Sequence, residues 1–409
     1  MAVEVVSAGE RLMVLGLLVR FMVPVDVVHA GVCVDETGRE EGEEEEGDTV
    51  EAVEVAVSLR GHHQLGHVRR WRNPPVYRPL VDLLTMEERH VIVTYRFDRA
   101  TIQELCTQLE PNLMSPIRHP TGIPPDVQVL SVLHFLASGS FQTTVAMASG
   151  MSQSMFSNVL SRVLSALLKN VRRYIIFHEV ADLPAVKGDF YALGHIPNVI
   201  GAIDGTHVAL VPPHRSEQVY RNRKSYHSMN VQMVCLADQY ISQVNAMFPG
   251  SVHDAYILRN SSIPDMMGQL QRHRVWLLGD SGYPNLSWLL TPVRNPRTRA
   301  EERYNEAYGR TRRVIERTFG LLKARFRCLH MTGGSLFYSP KKVCEIIIAC
   351  SMPHNLALRR QVPFLQEDDP DDGVLAAVEP VEPVDSDEEE AEEEDNDNRE
   401  SVIFPVTHR

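Results

Sequence analysis

Residues 199–211 read VIGAIDGTHVALV, two short β-branched apolar runs, Val199–Ile203 and His207–Val211, on either side of an Asp-Gly pair. Apolar β-branched runs bounded by turn residues are expected to be strands. The same texture recurs at Met229–Leu236, Tyr240–Phe248 and Val275–Leu278, giving five predicted strands. Beyond them the period changes. Ile315, Phe319, Leu322 and Phe326 fall on one face of a predicted helix from Arg299 to about Leu329. Ser339–Arg360 reads as a closing helix interrupted by Pro353, because a proline within a helix loses a backbone bond at a cost of about 3 kcal/mol. Strands followed by helices make this part a mixed α/β arrangement.

Upstream the pattern is helical. It begins near Thr85, and a second amphipathic segment runs to Leu109 after Phe97-Asp98-Arg99. Val129, Val132, Leu133 and Leu136 recur at i, i+3, i+4 and i+7, one apolar face of a helix. A short helix from Phe141, a turn at Gly150 and a longer helix opening with Ser152 as its cap then form a helix-turn-helix pattern. In such a motif Gln153, Ser154, Ser157 and Asn158 would face the DNA groove; an ordinary helical hairpin has the same pattern.

The chain has 409 residues, 44% of them apolar, enough for a substantial core. That excludes a disulfide miniprotein, a collagen-like repeat and a wholly disordered chain. Its net charge of −12 is unevenly placed. Residues 57–365 carry 36 Lys/Arg against 21 Asp/Glu, while the two flanks are strongly acidic. A basic body suggests a polyanionic partner, and nucleic acid is the commonest. The six cysteines show no metal-ligand spacing and are expected to be reduced core residues. Leu12–Val19 is apolar, but Glu4 and Glu10 precede it and Arg20, Pro24 and Asp26 follow, which argues against a signal peptide. No uncharged apolar stretch approaches the roughly 20 residues of a membrane span.

Within this basic body the scarce acids are informative. Asp204 directly follows a predicted strand, Asp254 lies in GSVHD after the next β ribbon, Asp280 ends VWLLGD, and Glu316 sits on the basic helix TRRVIERTFG. Strand ends and adjacent turns can project carboxylates into one cleft, where they repel unless a hard divalent cation neutralises them. Two such ions about 4 Å apart can activate water and stabilise the leaving oxygen of a phosphodiester. Each acid also has an ordinary explanation: a turn pair for Asp204-Gly205, a turn cap for Asp280, a loop hydrogen bond for Asp254 beside His253, an ion pair with Arg312 for Glu316. Arg221, Arg223, Lys224 and His227 are candidate phosphate contacts on a turn. Arg310, Arg312, Arg313, Arg317, Lys323, Arg325 and Arg327 would suit a DNA channel. His62, His63 and His67 lack a second ligand cluster, and VRRWRNPPVYRP at 68–79 reads as an arm.

Taken together, IDGTH at 203–207, YRNRKSYHSMNVQ at 220–232, PGSVHDAYILRNS at 249–261, GDSGYP at 279–284 and RTRRVIERTFGLLKARFRCL at 310–329 resemble the harbinger transposase-derived nuclease family of the PIF/Harbinger DDE transposases. The likeness runs in order from about residue 85 to 360 and implies an α/β, ribonuclease-H-like DDE endonuclease domain over 190–360. It also implies a helical N-terminal domain, 57–185, with a helix-turn-helix at about 141–168. The acidic extension 1–56 and acidic tail 361–409 are expected to be disordered. By the same resemblance Asp204, Asp280 and Glu316 match the catalytic triad, and Asp254 matches a further acid at a Mg²⁺ or Mn²⁺ site formed by all four.

The implied activity is divalent-metal-dependent hydrolysis of DNA phosphodiester bonds. The implied partners are DNA and a Myb-like DNA-binding nuclear protein, with no membrane, in the nucleus and cytoplasm; oligomeric state is not indicated. A domesticated DNA-binding or scaffold protein with little cleavage activity, and an active Harbinger transposase, are the alternatives. One departure is Met352-Pro353-His354-Asn355, where the family usually has an apolar residue, often Leu, before His-Asn.

Overall fold

In the computed structural model, which describes residues 85–114 and 122–365, Val199–Ala209 is one continuous strand, β1. The two runs expected at 199–203 and 207–211 are therefore a single element, and Asp204-Gly205 lies inside it rather than at a turn. The reason is tertiary. β2 (Ser228–Cys235) pairs antiparallel with β1 across the Asp-Gly step, Asp204 opposite Met233 and Gly205 opposite Gln232. β3 (Ile241–Pro249) continues this antiparallel side. On the other side β4 (Trp276–Leu278) pairs parallel with β1, and β5 (Leu289–Leu290) parallel with β4. The order is β3-β2-β1-β4-β5. β5 is too short to leave a periodicity signal and was not expected. This mixed sheet fits a ribonuclease-H-like fold.

Helices flank the sheet. Ahead of it come α1 (Glu88–Tyr95), α2 (Arg99–Leu113), α3 (Pro125–Ser138), α4 (Gln142–Ala148), α5 (Gln153–Lys169), the single turn α6 (Val171–Tyr174) and α7 (Leu183–Gly194). α2 starts where Asp98 accepts the Thr101 N–H at 2.9 Å, and α5 where Ser152 accepts that of Met155 at 3.3 Å. α4 and α5 are the helix pair expected at 141–168; the start of α5 is exposed at Gln153, Ser154 and Asn158. α8 (Glu217–Tyr220) precedes β2, while α9 (Asp254–Arg259) and α10 (Ile263–Leu270) carry the chain from β3 to β4.

α11 (Arg299–Arg325) is held at its start by a reciprocal cap between Thr298 and Glu301. It packs on β1, β2 and α7, whereas α12 (Pro340–Arg359) packs on β3 and α5. One hydrophobic core runs from Val91 on α1, through the sheet, to Val362. α12 is not interrupted at Pro353, which is buried. The next turn holds the helix in register: Asn355 Oδ1 accepts the Ile241 N–H at 2.8 Å, and its Nδ2 donates to the carbonyls of Ile241 (2.7 Å) and Tyr174 (2.8 Å). Three buried bonds outweigh the one that proline removes.

The five described cysteines are free thiols. Among the described residues no helix is long and apolar enough to cross a membrane. The acidic extension, the acidic tail beyond 365, the 68–79 arm and the His62, His63, His67 group lie outside the described residues.

Candidate active site

β1 outruns β4. The last parallel pair is Ala202 with Leu278, so Asp204 and Asp280 each stand two residues further along neighbouring strands. Side chains two apart share a face, and the parallel register thus carries these two carboxylates to the same place. Asp204 sits where the β4 side of β1 is open. Into that opening comes Arg312 of α11, whose Nη2 lies 2.5 Å from Asp204 Oδ2 and 3.8 Å from Asp280 Oδ1. Its Nη1 lies 2.7 Å from Oε1 of Glu316, one helical turn on. Three of the four predicted acids therefore share one guanidinium.

Asp254 approaches differently. It is the first residue of α9, and its Oδ1 accepts a 2.8 Å bond from Asn230 Nδ2, which also donates to the Val252 carbonyl at 2.8 Å. Alternation along β1 puts Gly205 on the opposite face from Asp204. A Cβ at Gly205 would lie 2.5 Å from Asp254 Oδ1 and 3.1 Å from Asn230 Oδ1. Glycine is needed here because a carboxylate packs against the strand backbone.

Burial pushes the Asp204 carboxyl up to about 7; Arg312 opposes this, while Asp280 and Asp254 add to it. Asp254 is also raised, chiefly by burial, against the pull of Asn230. Both shifts report carboxylates held close together with little water, a condition that positive charge relieves.

Among the described residues no three His, Cys, Asp or Glu side chains form a ready cation cluster. Arg312 stands between three of the acids, and Asp254 lies over the next residue of β1. The donor chemistry nevertheless suits a hard divalent ion. All four groups are carboxylates, borne on a central strand, a strand extension and two helices. Asn230 Oδ1 adds a buried oxygen without a hydrogen-bond partner.

Several residues of this neighbourhood escaped the sequence reading. Gln232 Nε2 donates to the Tyr283 hydroxyl at 3.1 Å and approaches the Asp254 carbonyl at 3.5 Å. The Tyr308 hydroxyl donates to the Gly279 carbonyl, next to Asp280. A signal existed in β2: Ser228, Asn230 and Gln232 form a polar row at period two in a strand buried at every position.

The basic residues divide into two groups, and the channel expectation is corrected for three of them. Arg312 is occupied by the acids. Lys323 donates to the His207 carbonyl at 2.9 Å, and burial lowers its amine to about 8. Arg325 is buried and donates to the carbonyls of Arg96 (3.0 Å) and Val362 (3.4 Å). Arg310, Arg313, Arg317 and Arg327 are exposed. On the turn before β2, Arg221, Arg223 and Lys224 are exposed, Arg223 lies 2.6 Å from His253 Nδ1, and His227 pairs with Glu217 at 3.2 Å.

The model of the DDE superfamily endonuclease family matches residues 203–355, a span that holds all four acids. The chain is 39% identical over 272 residues to the protein named "Putative nuclease HARBI1" of Homo sapiens, covering 66% of this chain and 78% of that one. The Xenopus laevis protein of the same name is 31% identical over 320 residues, 78% of this chain and 88% of its own length. The Arabidopsis thaliana protein Antagonist of like heterochromatin protein 1 is 26% identical over 301 residues, 68% and 74% of the respective chains. The chain belongs to the harbinger transposase-derived nuclease family. No solved structure matches it.

Proposed function

We propose that the protein is a divalent-cation-dependent endonuclease that hydrolyses DNA phosphodiester bonds, with Asp204, Asp280 and Glu316 as its catalytic carboxylates and Asp254 as a further cation ligand. The observation that carries this reading is the parallel register that sets Asp204 beside Asp280, with Glu316 joined to both through Arg312. When bound, Mg²⁺ or Mn²⁺ would supply an activated water and a stabilised leaving oxygen. The chain's own part is to hold the oxygens rigidly. Asn230 orients Asp254, Gly205 lets it close on the strand, and the Gly205 N–H fixes one oxygen of Asp204 at 2.8 Å. The exposed arginines of α11 and of the turn before β2 would grip the phosphate backbone. The start of α5, with Gln153, Ser154, Ser157 and Asn158, would read DNA as the second helix of a helix-turn-helix. A DNA substrate would call for work in the nucleus, with cytoplasmic residence if import depends on a Myb-like partner.

Purified protein with supercoiled and linear DNA tests this directly. Cleavage requiring Mg²⁺ or Mn²⁺, abolished by EDTA and cut by several orders of magnitude in Asp204→Asn while DNA affinity stays near wild type, is the expected result. Wild-type cleavage by Asp204→Asn would sink the assignment. Pairing of three acids with Arg312 favours a second reading, a DNA-binding scaffold of the same descent. Tight DNA binding with no cleavage, with or without the Myb-like partner, would select it.

A further inference from the structure

Arg312 and its neighbours on α11 have different fates. Arg310, Arg313 and Arg317 are exposed, whereas the Arg312 side chain is only 18% exposed. Every hydrogen bond and ion pair that its guanidinium makes among the described residues ends on Asp204, Asp280 or Glu316. Its Nε is buried without a partner. No backbone carbonyl ties the head down, and its long aliphatic stem allows the head to move outward without backbone rearrangement.

A guanidinium 2.5 Å from Asp204 Oδ2 and 2.7 Å from Glu316 Oε1 uses the oxygens that a divalent cation would need. A cation bonding those same two oxygens at about 2.0–2.6 Å would lie against the guanidinium nitrogens. Their charges also repel. One guanidinium leaves three carboxylates with a net negative charge that a divalent ion would offset further, and the two positive groups compete for the same oxygens.

We propose that Arg312 is an internal counter-cation that exchanges with the divalent ion. It holds the acids together in the metal-free protein and leaves them when the ion binds, so that it sets both the ion's affinity and the metal-free stability. This rests on the cation-site reading above. Arg312 is thus a positioning residue of the metal-free state, and its removal should favour the ion because the competent site no longer has to be vacated.

The test is Mn²⁺ binding by the full chain at about pH 8, where the free carboxyls are ionised. Binding is followed by the electron paramagnetic resonance of free Mn²⁺, and melting is recorded with and without the ion. Wild type, Arg312→Lys, Arg312→Met and Asp204→Asn are compared. Exchange predicts affinity rising from wild type through Lys to Met, about ten-fold or more in total. It also predicts melting-temperature losses that appear without Mn²⁺ and largely vanish with it. A purely structural arginine would lower melting in both conditions. If the methionine variant does not fold, the lysine variant decides alone. Equal or weaker Mn²⁺ binding by a folded Arg312 variant overturns the exchange while leaving the cation site standing, provided Asp204→Asn abolishes wild-type binding. No saturable binding by wild type, or binding indifferent to Asp204→Asn, removes the site and the exchange together.

Discussion

A methyl group on Gly205 would stand 2.5 Å from Asp254 Oδ1 and 3.0 Å from its Cγ. The clash is with a side-chain end, so the fold can yield where the geometry cannot. Gly205→Ala should cost only about 1–2 kcal/mol of stability, in the range of mild overpacking. On the proposed function it should nevertheless push Asp254 off Asn230 and lower cleavage at least ten-fold, since a small misplacement of a cation ligand is enough for that. Urea denaturation and a cleavage rate on the same preparation separate the two effects. An active Gly205→Ala enzyme would mean that Asp254 has no part in the site. Arg312 teaches the complementary lesson. In sequence it is one of many cations on a basic helix; its meaning comes from carboxylates 108 and 32 residues away in the chain.

Secondary-structure elements meet the site through their ends and their register. β4 is short, and its brevity leaves Asp204 uncovered. Within α12, Asn355 ties the helix to the start of β3 and to the last residue of α6. Asn355→Leu would take the side-chain partner from the buried Ile241 N–H and carbonyl, at about 1–3 kcal/mol for each group, while the Tyr174 carbonyl keeps the Tyr240 hydroxyl. We expect the urea midpoint to fall accordingly, while the metal dependence of the proposed cleavage is unchanged because Asn355 touches none of the acids. An unchanged midpoint would show that α12 is held by its apolar face alone. The same clamp explains how Pro353 is tolerated in mid-helix.

Across the molecule, the helices ahead of the sheet and the sheet itself share one core, and a histidine is sealed within it. His354 is fully buried, its Nε2 facing the Gln239 carbonyl at 3.2 Å, and burial lowers its pKa from 6.5 to about 3. Arg325 adds to the lowering. The unfolded chain therefore takes up a proton below about pH 6.5 that the folded chain refuses until about pH 3. Stability falls as pH drops through that window, by about 2 kcal/mol for this group between pH 7.5 and pH 5. Denaturation at the two pH values should show the loss, and His354→Gln, which keeps a donor for Gln239, should lose less. Equal losses in both proteins would assign the acid sensitivity to other groups.

Much of this architecture is written in local pattern. Strands expected at 229–236, 240–248 and 275–278 occur at Ser228–Cys235, Ile241–Pro249 and Trp276–Leu278, and the long basic helix ends four residues before its expected limit. Alternation and 3.6-residue periodicity are properties of neighbouring residues, so they can be read from a chain alone. The four acids were also visible, because acids are scarce in a basic body. What pattern could not supply was partnership. Asp-Gly looks like a turn until a second strand pairs across it, and a helix proline looks like a break until buried hydrogen bonds hold the next turn. Arg312 looks like a DNA contact until the parallel register brings Asp204 and Asp280 to it. Strand pairing, burial and like-charge proximity depend on residues far apart in sequence, and only the folded chain decides which of them meet.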